Sequence, residues 1–256
     1  MNLKNSTLAL FLSLLSILFL FFHPSPLTSK FFYKEAIVTK VIDGDTVEIS
    51  NGEKIRLIGI NAPEKGNYYF DESKKYLESL VLGKKVKIEV GEQKRDRYGR
   101  LLAYLFLEDN NINIEMIRNG AAHIYKQNEI KKYKNTFLEA EKYAIKSEIG
   151  IWKKSHYSKC LVIENFYISN KEILTLRNTC NSTLNFTNWY LEDEDHNILY
   201  FKNFSIKPYT KAKICINILE SCDYTFYSSK SYNQKMSNIR FFLRDNNGLL
   251  ILYFPS

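Results

Sequence analysis

The 256 residues are 45% hydrophobic, 14% aromatic and 25% charged, with a formal net charge of +8, which excludes a disordered or low-complexity chain and leaves room for two domains of ordinary size. The charge is uneven: residues 30–159 hold 25 Lys+Arg against 19 Asp+Glu, whereas residues 160–256 hold 10 against 9. A basic excess of this kind raises the local concentration of polyanions, so a phosphate-bearing partner is expected at the first half of the chain.

At the N-terminus Lys4 precedes a 15-residue apolar run, Leu8 to Phe22, broken only by Ser13 and Ser16. Such a run rises roughly 22 Å as a helix, short of the ~30 Å hydrocarbon core. Residues 1–29 are therefore expected to be a secretory signal, with an uncleaved N-terminal membrane anchor as the alternative, and the protein to be secreted or surface-associated. The cysteines Cys160, Cys180, Cys215 and Cys222 lack zinc-site spacing. They allow three disulfide connectivities, and export would place them where disulfides persist.

From Ala36 the pattern becomes β-rich. Ala36 to Val41 is a strand, Asp43-Gly44 a turn, Thr46 to Ile49 a second strand, and Asn51-Gly52 a hairpin signal leading into a third strand, Lys54 to Ile60. This hairpin brings the Asp43/Asp45 turn to the same end of the sheet as the residues that follow the third strand. Tyr76, Leu77, Leu80 and Val81 recur at helical spacing in a helix over Asp71 to Leu82, stopped by Gly83. Strands follow at Lys84 to Val90 and Leu101 to Leu107 around a loop from Gly91 to Arg100, then helices at Ile112 to Asn119 and Tyr133 to Lys146. The predicted class is α+β: a five-stranded barrel of the oligonucleotide-binding type with packed helices.

Within residues 41–100 lie two acids on a turn, Arg56 at a strand end, Glu64 after a proline, and Arg100 after Tyr98-Gly99. Hydrolysis of a phosphodiester adds negative charge to a group already negative, and arginine forks answer that demand because they hold two oxygens at once. A carboxylate such as Glu64 can orient or deprotonate the attacking water. Tyr98 and Tyr125 offer aromatic faces for a base. His123, with no nucleophile to pair with, reads as structural.

Residues 36–156 resemble the staphylococcal nuclease, or thermonuclease, family of secreted calcium-dependent nucleases. The resemblance rests on Ile42-Asp43-Gly44-Asp45-Thr46, Arg56-Leu57, Pro63-Glu64, Asp96-Arg97-Tyr98-Gly99-Arg100-Leu101-Leu102-Ala103-Tyr104 and Gly150-Ile151-Trp152, in that order. It implies that Asp45 is a calcium ligand, that Arg56, Glu64 and Arg100 are catalytic, and that Arg97 and Tyr98 hold the nucleotide's phosphate. It also implies DNA or RNA as substrate and products ending in a 3'-phosphate. The chain departs from the family at Asn61, where Asp is usual, and at Ala62, where Thr is frequent. The family uses the second position through its backbone carbonyl, so both remain candidates for the metal site, but the lost charge implies looser calcium binding. A catalytically silent binding barrel is the alternative. Members of that kind lose the arginines and the glutamate, which this chain keeps.

A boundary is expected at Ser155 to Lys159. Beyond it, residues 160–256 carry seven or eight short β-rich runs separated by polar turns and read as an all-β sandwich. Leu174-Thr175-Leu176-Arg177-Asn178, Asn188-Trp189-Tyr190-Leu191-Glu192-Asp193 and Phe204-Ser205-Ile206-Lys207-Pro208 resemble the lamin-tail domain, which implies an immunoglobulin-like fold and a targeting or binding role toward a surface or protein partner. The acidic run Glu192 to Asp195 reads as a solvated turn and Trp189 as core. A monomer is expected.

Overall fold

The computed structural model describes residues 34–125, 127–168, 172–217, 221–227 and 240–254; the expected leader, residues 1–29, lies outside them. β1 (Lys34–Val41), β2 (Thr46–Ile49) and β3 (Lys54–Leu57) form an antiparallel meander, followed by β4 (Ile60–Asn61), α1 (Phe70–Val81), β5 (Lys85–Arg95), β6 (Leu101–Leu107), β7 (Asn110–Asn111), α2 (Ile112–Arg118), β8 (His123–Ile124) and α3 (Lys134–Lys146). The sheet order is β3-β2-β1-β5-β6-β7, and β3 also pairs in parallel with β6. That extra pairing closes β1, β2, β3, β6 and β5 into a five-stranded barrel, as expected.

Alternation fills the barrel: Val38, Val47, Ile55, Leu57, Val86, Ile88 and Leu105 are buried, and each large apolar side chain so placed contributes roughly 1.5–3 kcal/mol. Register shifts in β1 at 38–40 and in β5 at 90–95 supply the bends that closure needs. Two boundaries differ from expectation by more than two residues. The third strand breaks at 58–59 because Gly59 takes φ +76°, where a Cβ would lie 1.9 Å from the Ile130 side chain. β5 runs on to Arg95, since its far end still pairs with Leu101 of β6.

The rest of the described chain contains no α-helix. β9 (Leu161–Ile168), β10 (Glu172–Asn178), β11 (Leu184–Asn185), β12 (Tyr190–Asp193), β13 (Ile198–Tyr200), β14 (Ser205–Ile206), β15 (Lys211–Ile216), β16 (Tyr224–Phe226), β17 (Phe241–Arg244) and β18 (Leu250–Phe254) build two four-stranded sheets, β16-β15-β10-β9 and β13-β12-β17-β18, with β11 and β14 paired apart. Both sheets send apolar residues into one core: Leu174, Leu176 and Ile214 from the first, Leu191, Leu243 and Phe254 from the second, with Phe186, Trp189 and Phe201 between strands.

Packing selects one of the three connectivities, Cys160–Cys180 and Cys215–Cys222. The first closes a loop of 20 residues and the second one of 7, so chain entropy assigns them about 3 and about 2 kcal/mol respectively. Cys160→Ser/Cys180→Ser is expected to lower the denaturant midpoint more than Cys215→Ser/Cys222→Ser; the reverse order in urea titrations would refute a loop-entropy origin.

The all-β region is docked on the barrel. Leu250 N–H donates to Lys153 O (2.9 Å) and Ser155 N–H donates to Leu250 O (2.8 Å), so the connector after α3 pairs with β18. Trp152, of the Gly-Ile-Trp motif, packs on Phe242 and Tyr253 at 5.7 and 5.2 Å between ring centres. Arg240 reaches Glu141 of α3 at 2.7 Å, both buried, and the same carboxylate accepts from Ile124 N at 2.8 Å.

Candidate active site

The turn between β1 and β2 is built by its own side chains. Asp43 Oδ1 accepts from Asp45 N at 3.0 Å, the local bond that makes Asp a turn former. Gly44 has no space for a side chain: a Cβ there would sit 2.0 Å from Ser73 Oγ of α1 and 2.6 Å from Ala62 Cβ. The helix thus presses the turn against the segment that carries Asn61 and Ala62.

Asp45 is the hub. It is 5% exposed. Its Oδ1 accepts from Thr46 Oγ1 (3.0 Å) and its Oδ2 from Ala62 N (2.9 Å). Oδ2 also pairs with Arg56 Nη2 at 3.0 Å. Arg56 reaches this point because Thr46 and Arg56 are cross-strand partners in β2 and β3. Its Nη1 donates to Leu57 O and Ile60 O, both at 2.8 Å, and its Nη2 to Asn61 Oδ1 at 2.9 Å. Asn61 passes the bonding outward, donating from Nδ2 to Glu194 O at 2.8 Å.

The second arginine is set by a separate loop. Asp96 Oδ1 accepts from Tyr98 N and Arg100 N, both at 2.9 Å, and Oδ2 accepts from Arg100 Nε at 2.7 Å. Burial pushes the Asp96 carboxyl up, but these bonds and the Arg100 charge outweigh it and hold it below the usual range. Arg100 also donates to Thr46 Oγ1 at 3.3 Å, so the two halves of the site meet at Thr46. Arg97 and Arg100 lie over the Tyr98 ring at 4.8 and 5.5 Å, and the ring itself is 68% exposed.

These groups surround one cleft of about 640 Å³, lined among others by Asp43, Asp45, Arg56, Asn61, Glu64, Arg97, Tyr98, Arg100 and Tyr125. Of the predicted site residues only Ala62 is not on the lining; it serves through its N–H to Asp45. Glu64 stands exposed, its carboxylate without an ion-pair partner among the described residues. Asp43, not counted among the metal residues from sequence, lines the cleft beside Asp45, and the Asp-x-Asp spacing is the signal for it. Burial, then the neighbouring Asp45 charge, push its carboxyl up to about 6.

No group of three or more His, Cys, Asp or Glu side chains arranged to hold a metal ion occurs among the described residues. A divalent cation would be held by the Asp43 and Asp45 carboxylates with neutral oxygens. Both carboxylates stand on the cleft, Asp45 already paired with Arg56 at 3.0 Å, and hard oxygens of this kind suit calcium.

Glu192 and Asp193 depart from the solvated state expected of the acidic run, while Asp195 stays exposed. Glu192 is 5% and Asp193 4% exposed. Arg244 holds Glu192 at 2.8 Å and His196 Nδ1 meets its other oxygen at 2.7 Å. Further along the run, Asp195 Oδ1 accepts from Tyr125 Oη at 2.5 Å, and Asp195 and Asn197 line the cleft. No local sequence signal marks these two as site residues. His123 is packed as expected: it is buried against Phe242 and His196, and burial, then the His196 charge, lower its ring to about 3.

Residues 54–154 match the sequence model of the family described as staphylococcal nuclease homologue. The chain is 38% identical over 119 residues to an "Uncharacterized endonuclease" of Haemophilus influenzae, covering 45% of this chain and 64% of that protein. It is 44% identical over 94 residues to an "Uncharacterized endonuclease" of Escherichia coli O157:H7, covering 35% and 60%. Against the "Thermonuclease" of Staphylococcus intermedius it is 33% identical over 129 residues, covering 46% and 76%. The chain thus spans under two thirds of the two endonucleases' length and about three quarters of the thermonuclease's. With this coverage of the thermonuclease, a closed barrel and the site residues on one cleft, the chain belongs to the staphylococcal nuclease family.

Proposed function

We propose that the chain is a calcium-dependent nuclease that hydrolyses phosphodiester bonds of DNA or RNA. The observation that carries this reading is the convergence of Arg56, Arg100 and the exposed Glu64 on one cleft beside the Asp43/Asp45 turn. Arg100, fixed through Nε by Asp96 and through Nη1 by Thr46, presents its Nη2 end to a phosphate entering the cleft. Arg56 is held by two carbonyls and two side-chain oxygens, so its charge is positioned before substrate arrives and needs no reorganisation. Glu64 faces solvent and can take the proton of an attacking water. Tyr98 and Tyr125 offer faces for the flanking bases. Calcium, bound at Asp45 with Asp43 and neutral oxygens, would supply further positive charge against the non-bridging phosphate oxygen; Asn61 in place of a carboxylate implies weak binding suited to millimolar, extracellular calcium.

Export is part of the proposal, supported by the apolar N-terminal run and by two disulfides, which persist in oxidising compartments. So is a sandwich fold of the immunoglobulin-like, lamin-tail type for residues 160–256, supported by the core its two sheets share.

Single-stranded DNA should be cut in millimolar calcium, not in chelator, and at least 100-fold more slowly by Glu64→Ala. Cutting undiminished in chelator would refute the calcium requirement. Binding without cutting at any calcium concentration would favour the silent barrel.

A further inference from the structure

The segment that carries Glu64 touches the all-β region at both of its ends. Glu64 and the two residues after it are exposed, and a Cβ at Gly66 would meet nothing within 4 Å. Where Glu64 stands is therefore set by the ends of its segment. At the first end Asn61 uses both of its polar functions: Oδ1 accepts from Arg56 Nη2 at 2.9 Å and Nδ2 donates to Glu194 O at 2.8 Å. The partners fix that orientation, since a guanidinium only donates and a carbonyl only accepts. An Asp at this position would turn an oxygen toward the Glu194 carbonyl, so the Asn that departs from the family matches the docked all-β region.

The second end meets the β17–β18 turn. Asp245 Oδ1 shapes that turn by accepting from Asn247 N (2.8 Å) and Leu249 N (3.0 Å), and Arg244 Nη1 donates to its Gly248 O at 3.1 Å. Gly248 takes φ +81°, and a Cβ there would lie 2.4 Å from both Tyr68 Cβ and Tyr68 Cγ. Arg244 Cζ stands 5.7 Å from the centre of the same ring. The next residue, Tyr69, holds φ +70°, a left-handed conformation uncommon for an aromatic residue, and packs on the cluster that Phe242 and Leu250 form with Trp152. Such a backbone persists only where its surroundings over-determine it, and β17 and β18 supply part of those surroundings.

We infer that the all-β region is part of the nuclease machinery: by seating Tyr68 against the β17–β18 turn and Asn61 on Glu194, it positions the backbone that brings Glu64 to the cleft. Tyr68 is thus a positioning residue that acts through Glu64. The arginines are set mainly within the barrel, Arg56 opposite Thr46 and Arg100 on Asp96. Loss of the Tyr68 contact should therefore displace the base and leave phosphate binding in place. This inference rests on the proposed nuclease reading.

The test uses the full chain, a labelled DNA oligonucleotide and saturating calcium, well below the melting temperature of each variant. Tyr68→Ala should lower kcat about tenfold or more, because a displaced base loses its alignment with the attacking water, while KM stays within about twofold of wild type. Tyr68→Phe keeps the ring and should retain wild-type kcat. Gly248→Ala breaks the same contact from the all-β side and should reproduce the kcat loss, so the test does not depend on one variant folding. Hydrogen exchange over 64–70, where Asn67 N–H donates to Glu64 O at 2.9 Å, should quicken in both and not in Tyr68→Phe. Variants that melt lower yet keep wild-type kcat and KM overturn the inference and leave the nuclease reading intact. If the wild type cuts nothing while exchange over 64–70 still quickens in both variants, the hold on the segment stands and the nuclease reading falls.

Discussion

Arg100→Ala is expected to lower kcat on single-stranded DNA by 100-fold or more, about 2.7 kcal/mol of transition-state stabilisation, while the melting temperature changes little. The two effects separate because of how Arg100 is held. Its side chain is 27% exposed, so removing it opens no core cavity. Asp96 keeps its backbone donors, Tyr98 N and Arg100 N, so the loop persists. What disappears is a fixed positive fork on the cleft. Arg56→Lys should cost activity on a similar scale, because an ammonium cannot reach Leu57 O, Ile60 O, Asn61 Oδ1 and Asp45 from one position. Steady-state kinetics beside thermal melts check both; an Arg100→Ala enzyme within a few-fold of wild type would refute this role for it.

Glu192→Gln is expected to destabilise the protein by about 3–5 kcal/mol, because it leaves Arg244 buried without its counter-charge. For a chain of this size that is a loss on the order of 10 °C in Tm. The loss should depend on pH. Burial raises the Glu192 carboxyl, but the charge of Arg244 and the bond from His196 overcome it and bring it down to about 2 from an ordinary 4.5. Its stabilisation is therefore complete above about 4.5 and lost as pH falls toward 2. Burial works against a charged His196, but the bond and charge of Glu192 win and raise it above 6.5. That contribution is complete below 6.5 and fades as pH rises through the folded value. The difference in Tm between wild type and Glu192→Gln should peak between these limits and narrow on either side; a pH-independent difference would refute the charged pair.

Much of the barrel and its site was legible in the chain because the signals are local. Alternation and the Asn51-Gly52 turn define β2 and β3, and their pairing alone brings Arg56 opposite Thr46, next to Asp45. The Asp96 to Arg100 loop is likewise shaped locally, the bonds of the Asp96 carboxylate all lying within four residues. Where the reading erred, the cause lay across space. Glu192 reads as solvated because the arginine that pairs with it in the core, Arg244, lies 52 residues away, and the reach of the exposed Asp195 to Tyr125 spans 70 residues.

By itself the sequence determined most of the closed barrel's strands, and it marked the arginines, Glu64 and the acid turn that line one cleft, since these depend on side-chain alternation, turn chemistry and spacing along one stretch. Only the tertiary structure decided the cysteine pairing, the burial of Glu192 and Asp193, and the reach of 193–197 into the cleft. Those follow from how two sheets share a core and how β17 and β18 dock on Trp152 and α3. Such docking depends on the shapes of two surfaces far apart in the chain, and no short-range pattern encodes it.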